Sequence, residues 1–188
     1  MKNNNLLVVI SGPSGVGKGV VIKELLINIK KLELAISATT RPIRAGEENG
    51  QDYYFFKNEE FDKAIHEDDF IEWCNVHGNR YGTLKKEITR INNNNKIGLV
   101  EIDTQGAEKI KHKYPEILSI FLAPPTVAVL EERLTKRGTE SKDAIKKRIE
   151  TANEELKRIK HYDYVVINDT ISNSSKEIQF LITKSFDL

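Results

Sequence analysis

Seven residues near the N-terminus, Gly12-Pro13-Ser14-Gly15-Val16-Gly17-Lys18, limit what this chain can fold into more than any other stretch. They fit G-x-x-x-x-G-K. They stand between an apolar, β-prone run at residues 6–10 and a segment with apolar residues at Val21, Ile22, Leu25, Leu26 and Ile29. The first run suits a strand buried on both faces, and the second a helix with one apolar stripe. Strand, glycine loop and helix in that order make an anion cradle. The glycines let backbone N–H groups turn inward, the helix N-terminus adds partial positive charge, and the lysine reaches the β- and γ-phosphates. A tight glycine turn beside an incidental lysine would not need both flanks. The pattern departs at its last position. Gly19, followed by Val20, stands where a Ser or Thr hydroxyl would hold Mg²⁺. The ion must then rest on nucleotide phosphates, water and acidic residues elsewhere.

Further runs repeat the alternation. Strands are expected at 34–38, 52–56, 97–102, 118–123 and 164–167, and helices at 18–31, 58–68 (capped by Asn58), 84–91, 107–112, 126–136, 141–160 and 174–184. Residues 70–76 and 79–81 flank Gly78 as a bent strand pair, and 39–51 read as a loop. Strands alternating with helices predict an α/β fold with a parallel sheet flanked by helices. The expected layout is one domain over 1–188. Its phosphate-loop core covers about 1–36, 95–125 and 162–188. A small mixed α/β region at about 37–90 lies over it, and a helical lid spans about 126–160.

Composition narrows the partners. Formal net charge is +1, which gives no electrostatic reason to expect nucleic acid or an anionic membrane. No apolar run approaches the roughly 20 residues of a membrane helix, and no signal-peptide pattern opens the chain, so a cytoplasmic location is expected. Cys74 is alone and the four His are scattered, which argues against a His/Cys metal centre. No long apolar patch announces an interface, and a homo-oligomer stays open. Of 29 basic residues only eight are Arg, and five of these fall in two groups, Arg41/Arg44 and Arg133/Arg137/Arg148. Arg grips phosphate with a planar fork, so both groups are candidate anion sites.

The run Ile97–Glu101 continues to Asp103. Glu101 and Asp103 are two apart at the C-terminal end of a predicted strand, where open α/β sheets bind ligands. One or both could hold Mg²⁺ through water, or bind substrate. Ser37-Ala-Thr-Thr-Arg41-Pro-Ile-Arg44, with Tyr53 nearby, could take a second phosphate. Glu72, Tyr81 and Thr83 add a carboxylate and hydroxyls; a solvated charged loop is the alternative. Arg133 and Arg137, four apart, share a helix face, either as phosphate ligands or as partners of neighbouring Glu.

Taken together, these runs resemble the guanylate kinase family over nearly the whole chain. The matching stretches are GPSGVGK (12–18), S-x-T-T-R-x-x-R (37–44), G-E-x-N-G-x-D-Y (46–53), F-I-E-W (70–73), Y-G-T (81–83), I-D-x-Q-G (102–106), A-P-P (123–125), R-L-x-x-R-G-T-E (133–140) and V-I-N-D (166–169). The resemblance implies transfer of the γ-phosphoryl of ATP to GMP, and to dGMP, with Mg²⁺. It implies that Gly12–Gly19 and Asn168 bind ATP, with Asn168 by the adenine. Arg41, Arg44, Tyr53 and Tyr81 would hold the GMP phosphate, and Glu72, Ser37 and Thr83 the guanine. Asp103 would lie between the substrates. Arg133, Arg137 and Arg148 would close from the lid onto the ATP phosphates, and catalysis would rest on these with Lys18 and Arg41. The family also includes binding modules that have lost catalysis. Retention of Lys18, Glu72 and the lid arginines argues against that reading here.

Overall fold

The computed structural model describes residues 6–76, 78–136 and 141–188. The organising element is β1 (Leu7–Ser11), every residue of which is buried. Its alternation sends Val8 and Ile10 to one face of a sheet and Leu7 and Val9 to the other, and each pair seeds a separate apolar cluster. After β1 come α1 (Lys18–Asn28), β2 (Leu32–Leu34), β3 (Ser37–Thr39), β4 (Tyr54–Phe55), α2 (Asn58–His66), β5 (Phe70–Val76), β6 (Asn79–Leu84), α3 (Lys85–Asn93), β7 (Ile97–Glu101), α4 (Thr104–Lys113), β8 (Leu118–Ala123), α5 (Val127–Lys136), α6 (Lys142–Leu156), β9 (Tyr164–Ile167) and α7 (Ile171–Phe186).

Five strands form a parallel sheet in the order β2-β7-β1-β8-β9. Val8 and Ile10 pack with Val21, Ile22 and Leu25 of α1 and Ile178 and Ile182 of α7. Leu7 and Val9 pack with Ile88 and Ile91 of α3 and Ala107 and Ile110 of α4. Each fully buried aliphatic side chain contributes about 1.5–3 kcal/mol, so these two layers dominate stability. The chain leaves β1 between neighbours reached by crossovers in opposite directions, the crevice in which such sheets bind ligands. A second sheet, β4-β3-β6-β5, is mixed: β3 pairs parallel to β4 and antiparallel to β6, and β5 is antiparallel to β6. Phe61 of α2, Phe70 and Leu84 close its own small core. Helices α5 and α6 share a third apolar contact through Leu130, Leu134, Ile145 and Ala152.

Local expectations fail where long-range partners decide. Residues 34–38, expected as one strand, are divided between two sheets. The Ala35 N–H still bonds to Leu99 of β7, but the Ile36 N–H turns to the Glu87 carboxylate and Ser37 opens β3. Asn58 does not cap α2. Lys57 holds that position, its N–H bonded to the Glu60 carboxylate at 2.6 Å, while Asn58 accepts from Arg80 through both its carbonyl and its side chain at 2.9 Å. α4 begins three residues before Ala107 because Asp103 caps it, accepting from the Gly106 N–H at 2.8 Å.

Candidate active site

Leaving β1, the chain enters the glycine loop with Gly12 at φ +150°, where a Cβ would lie 2.2 Å from the Leu122 carbonyl oxygen of β8. Only glycine lets the loop run this close to the sheet. Val16 is fully buried and pins the loop. Lys18 opens α1, and its ammonium folds back to the Gly12 and Pro13 carbonyls at 2.6 and 3.3 Å. Burial pulls the Lys18 pKa down, against the pull of Glu101, Glu155 and Asp103. The underside of the loop is braced by two residues expected to meet ATP. The Asn168 amide donates to the Val16 carbonyl at 2.7 Å and accepts from Ser174 at 2.8 Å, and only 1% of the residue is exposed. Arg133 donates to the carbonyls of Val16 at 3.2 Å and of Asn168 at 2.9 Å. Both side chains therefore hold the Val16 carbonyl here, and Arg133 the Asn168 carbonyl as well.

The cleft itself, about 820 Å³, runs from the loop to the second sheet. Gly12, Ser14, Lys18, Ser37, Tyr53, Glu72, Tyr81, Glu101, Asp103 and Arg148 all line it. Glu72 is 5% exposed. Its Oε1 accepts from the Thr83 N–H at 3.1 Å and from the Thr83 hydroxyl at 3.0 Å, and its Oε2 is buried with no partner. Burial, with a smaller push from Asp103, raises its pKa to about 7 although Thr83 works the other way. Gly106 makes room for it: a Cβ there would stand 2.6 Å from Oε2. Ser37 is directly opposite Thr83 in the β3–β6 ladder. Tyr53 and Tyr81 meet edge to face at 6.1 Å. Arg41, 9% exposed, stacks over Tyr53 at 5.2 Å and is gripped by both oxygens of Glu47 at 2.8 and 2.9 Å. The Arg44 N–H donates to the same carboxylate at 2.9 Å, with its own side chain exposed.

A buried carboxylate with a spare oxygen therefore faces a phosphate cradle across one cleft. The guanylate kinase family model matches residues 4–185. A guanylate kinase of Caldanaerobacter subterraneus subsp. tengcongensis is 46% identical over 182 residues, covering 97% of this chain and 88% of the relative. That of Prochlorococcus marinus strain MIT 9312 is 45% identical, covering 97% and 99%. This chain belongs to the guanylate kinase family. The crystal structure of guanylate kinase from Anaplasma phagocytophilum superposes with a TM-score of 0.76 at 31% identity, covering 95% of this chain and 84% of that one.

Within this guanylate kinase frame, some cleft residues escape a reading by motif. Glu47 is the resident partner of Arg41, a role that only the folded loop reveals. The Cys74 thiol donates to Asp103 at 2.9 Å, and Cys74 lies two residues beyond Glu72 on β5. Burial, then Asp103, pushes that thiol far above its usual range, so it stays a protonated donor. Glu155 of α6 also lines the cleft, with burial raising its pKa and Lys18 opposing. Its signal was present in the sequence. Ala144, Lys147, Arg148, Thr151 and Glu155 recur at helical spacing, and all five face the cleft. Arg137 lies outside the described residues. Among the described residues no three His, Cys, Asp or Glu side chains form a ready metal cage. Glu101 and Asp103, both in the cleft near Lys18, suit an ion that arrives on a nucleotide. Among those residues, no helix is long and apolar enough to cross a membrane.

Proposed function

We propose that this chain is a cytoplasmic guanylate kinase that transfers the γ-phosphoryl of ATP to GMP, and also to dGMP, supplying nucleoside diphosphate to purine metabolism. A phosphate oxygen of the acceptor attacks the γ-phosphorus in line. The bond to the β,γ-bridging oxygen breaks, and ADP leaves with that electron pair. No covalent enzyme intermediate is needed, so the protein's part is positioning and charge. The observation that carries the reading is the unpartnered Oε2 of Glu72, buried on the wall of the cleft. Guanine offers two neighbouring donors, N1–H and the 2-amino group, to an ionised carboxylate. Adenine has no proton on N1 and would leave that oxygen unsatisfied, at a cost of about 1–3 kcal/mol or more. Ser37 and Thr83 complete the base contacts. Arg41, Arg44, Tyr53 and Tyr81 take the acceptor phosphate. The backbone of residues 12–19 and Lys18 hold the donor phosphates, and Arg148 of α6, with Arg137 and with Arg133 released from the Val16 and Asn168 carbonyls, adds positive charge on closure. Asn168 supports the loop on the adenine side.

Mg²⁺ would fit as a passenger on ATP, and Glu101 and Asp103 are the residues that would hold it through water. When bound it neutralises charge on the phosphoryl group in transit. The test is the purified chain with ATP, Mg²⁺ and each of GMP, dGMP, AMP, UMP and CMP. GDP and ADP should appear together, with GMP far ahead of AMP. A lead for any non-guanine acceptor would sink the role given to Glu72, and the absence of turnover would sink the enzyme.

A further inference from the structure

Outside the cleft, one buried charge stands out. Glu87, in the first turn of α3, is 1% exposed yet accepts four hydrogen bonds. Its Oε2 accepts from the Ile36 N–H at 3.1 Å and from Arg90 Nη2 at 3.0 Å; its Oε1 accepts from the Tyr54 hydroxyl at 2.9 Å and from Arg90 Nε at 3.2 Å. Arg90 continues to Glu33 of β2 at 2.5 Å, and Lys96 meets the other oxygen of Glu33 at 2.6 Å. The chain of contacts therefore starts in the phosphate-loop sheet and ends in the second sheet. A groove of about 640 Å³ on this seam is lined by Glu33, Ile36, Tyr54 and Arg90.

The position of the two donors gives the network its meaning. Ile36 immediately precedes Ser37, and Tyr54 immediately follows Tyr53. Both Ser37 and Tyr53 line the cleft. We propose that Glu87 is a positioning residue for the acceptor nucleotide, fixing the strands that present Ser37 and Tyr53 and tying them through Arg90 to the phosphate-loop sheet. The inference rests on the acceptor-site reading given above. Burial alone would push the Glu87 carboxyl up. Arg90, Ile36 and Tyr54 outweigh that and hold it below its ordinary value, so the carboxylate stays charged and fully occupied. A buried charge satisfied from four sides resists displacement, because losing one donor leaves an uncompensated oxygen in a dry place.

The experiment uses Glu87→Gln, Tyr54→Phe and Arg90→Ala, none of which touches the cleft. Arg90 is 41% exposed and lies in none of the apolar clusters, so its loss opens no cavity in them. Steady-state kinetics should show KM for GMP raised about fivefold in each, with KM for ATP and kcat within about twofold of wild type. Tyr54→Phe should add little to Glu87→Gln, because both act through one group. Unchanged KM for GMP in Tyr54→Phe and Arg90→Ala would overturn the proposal. So would parallel rises in both KM values, the mark of general loosening. Wild-type protein in the same assay separates the failures. No turnover of GMP by wild type removes the activity reading, whereas wild-type turnover with unaltered variants removes this inference alone.

Discussion

Glu72 carries a cost that its neighbours leave in place. Its carboxyl titrates near 7 in the folded chain against an ordinary 4.5. Between those values the folded protein holds a proton that the unfolded chain has released. Stability therefore falls as pH rises through that window, by roughly 3 kcal/mol in all. Two outcomes are expected. Glu72→Gln should melt higher than wild type at pH 8 and lose most of its GMP-over-AMP preference; a lower melting temperature would refute the unpaired-oxygen account. The wild-type KM for GMP should climb about tenfold per pH unit below about 7, since the proposed guanine contact needs the ionised form, while KM for ATP follows a different profile. A flat KM for GMP from pH 5.5 to 8 would contradict the reading.

At the scale of elements, the periodic parts were legible and the seams were not. β1, the glycine loop and α1 followed from apolar spacing because their partners lie on both sides of a strand buried by its own composition. The split of 34–38 could not follow, since Ile36 leaves the first sheet for a carboxylate 51 residues away. Asn58 looked like a cap, but Arg80 claims it. Glu72, Lys18, Arg41 and Arg44 were readable as types in a motif, whereas Glu47 and Glu87 were ordinary charges until folding gave them partners. α4 shows how an element serves a site. Gly106 in its first turn weakens a helix by about 1 kcal/mol relative to Ala. Its bare Cα instead leaves space for Glu72 Oε2. Gly106→Ala should displace that carboxylate and raise KM for GMP more than tenfold, with KM for ATP little changed. An unaltered KM would mean that the space is not needed.

For the whole molecule, the proposed donor and acceptor sites draw on different layers. The first sheet delivers residues 12–18 and Glu101, the second delivers Ser37, Tyr53, Glu72 and Tyr81, and α6 brings Arg148 over them. The two substrates should therefore stabilise the fold separately, each by an increment set by its concentration over its dissociation constant. In thermal melts GMP should protect Lys18→Ala as well as it protects wild type, while ATP protection and turnover are lost. Equal loss of both protections would mean that the layers do not act apart. The Arg41–Glu47 pair gives the acceptor site a further character. Its guanidinium is already matched to an anion of the protein's own, so under the proposed role of Arg41 an incoming phosphate dianion would trade places with a carboxylate, as a solute does on an ion-exchange resin. Such a trade moves little net charge, and acceptor binding should be less sensitive to ionic strength than the count of arginines suggests.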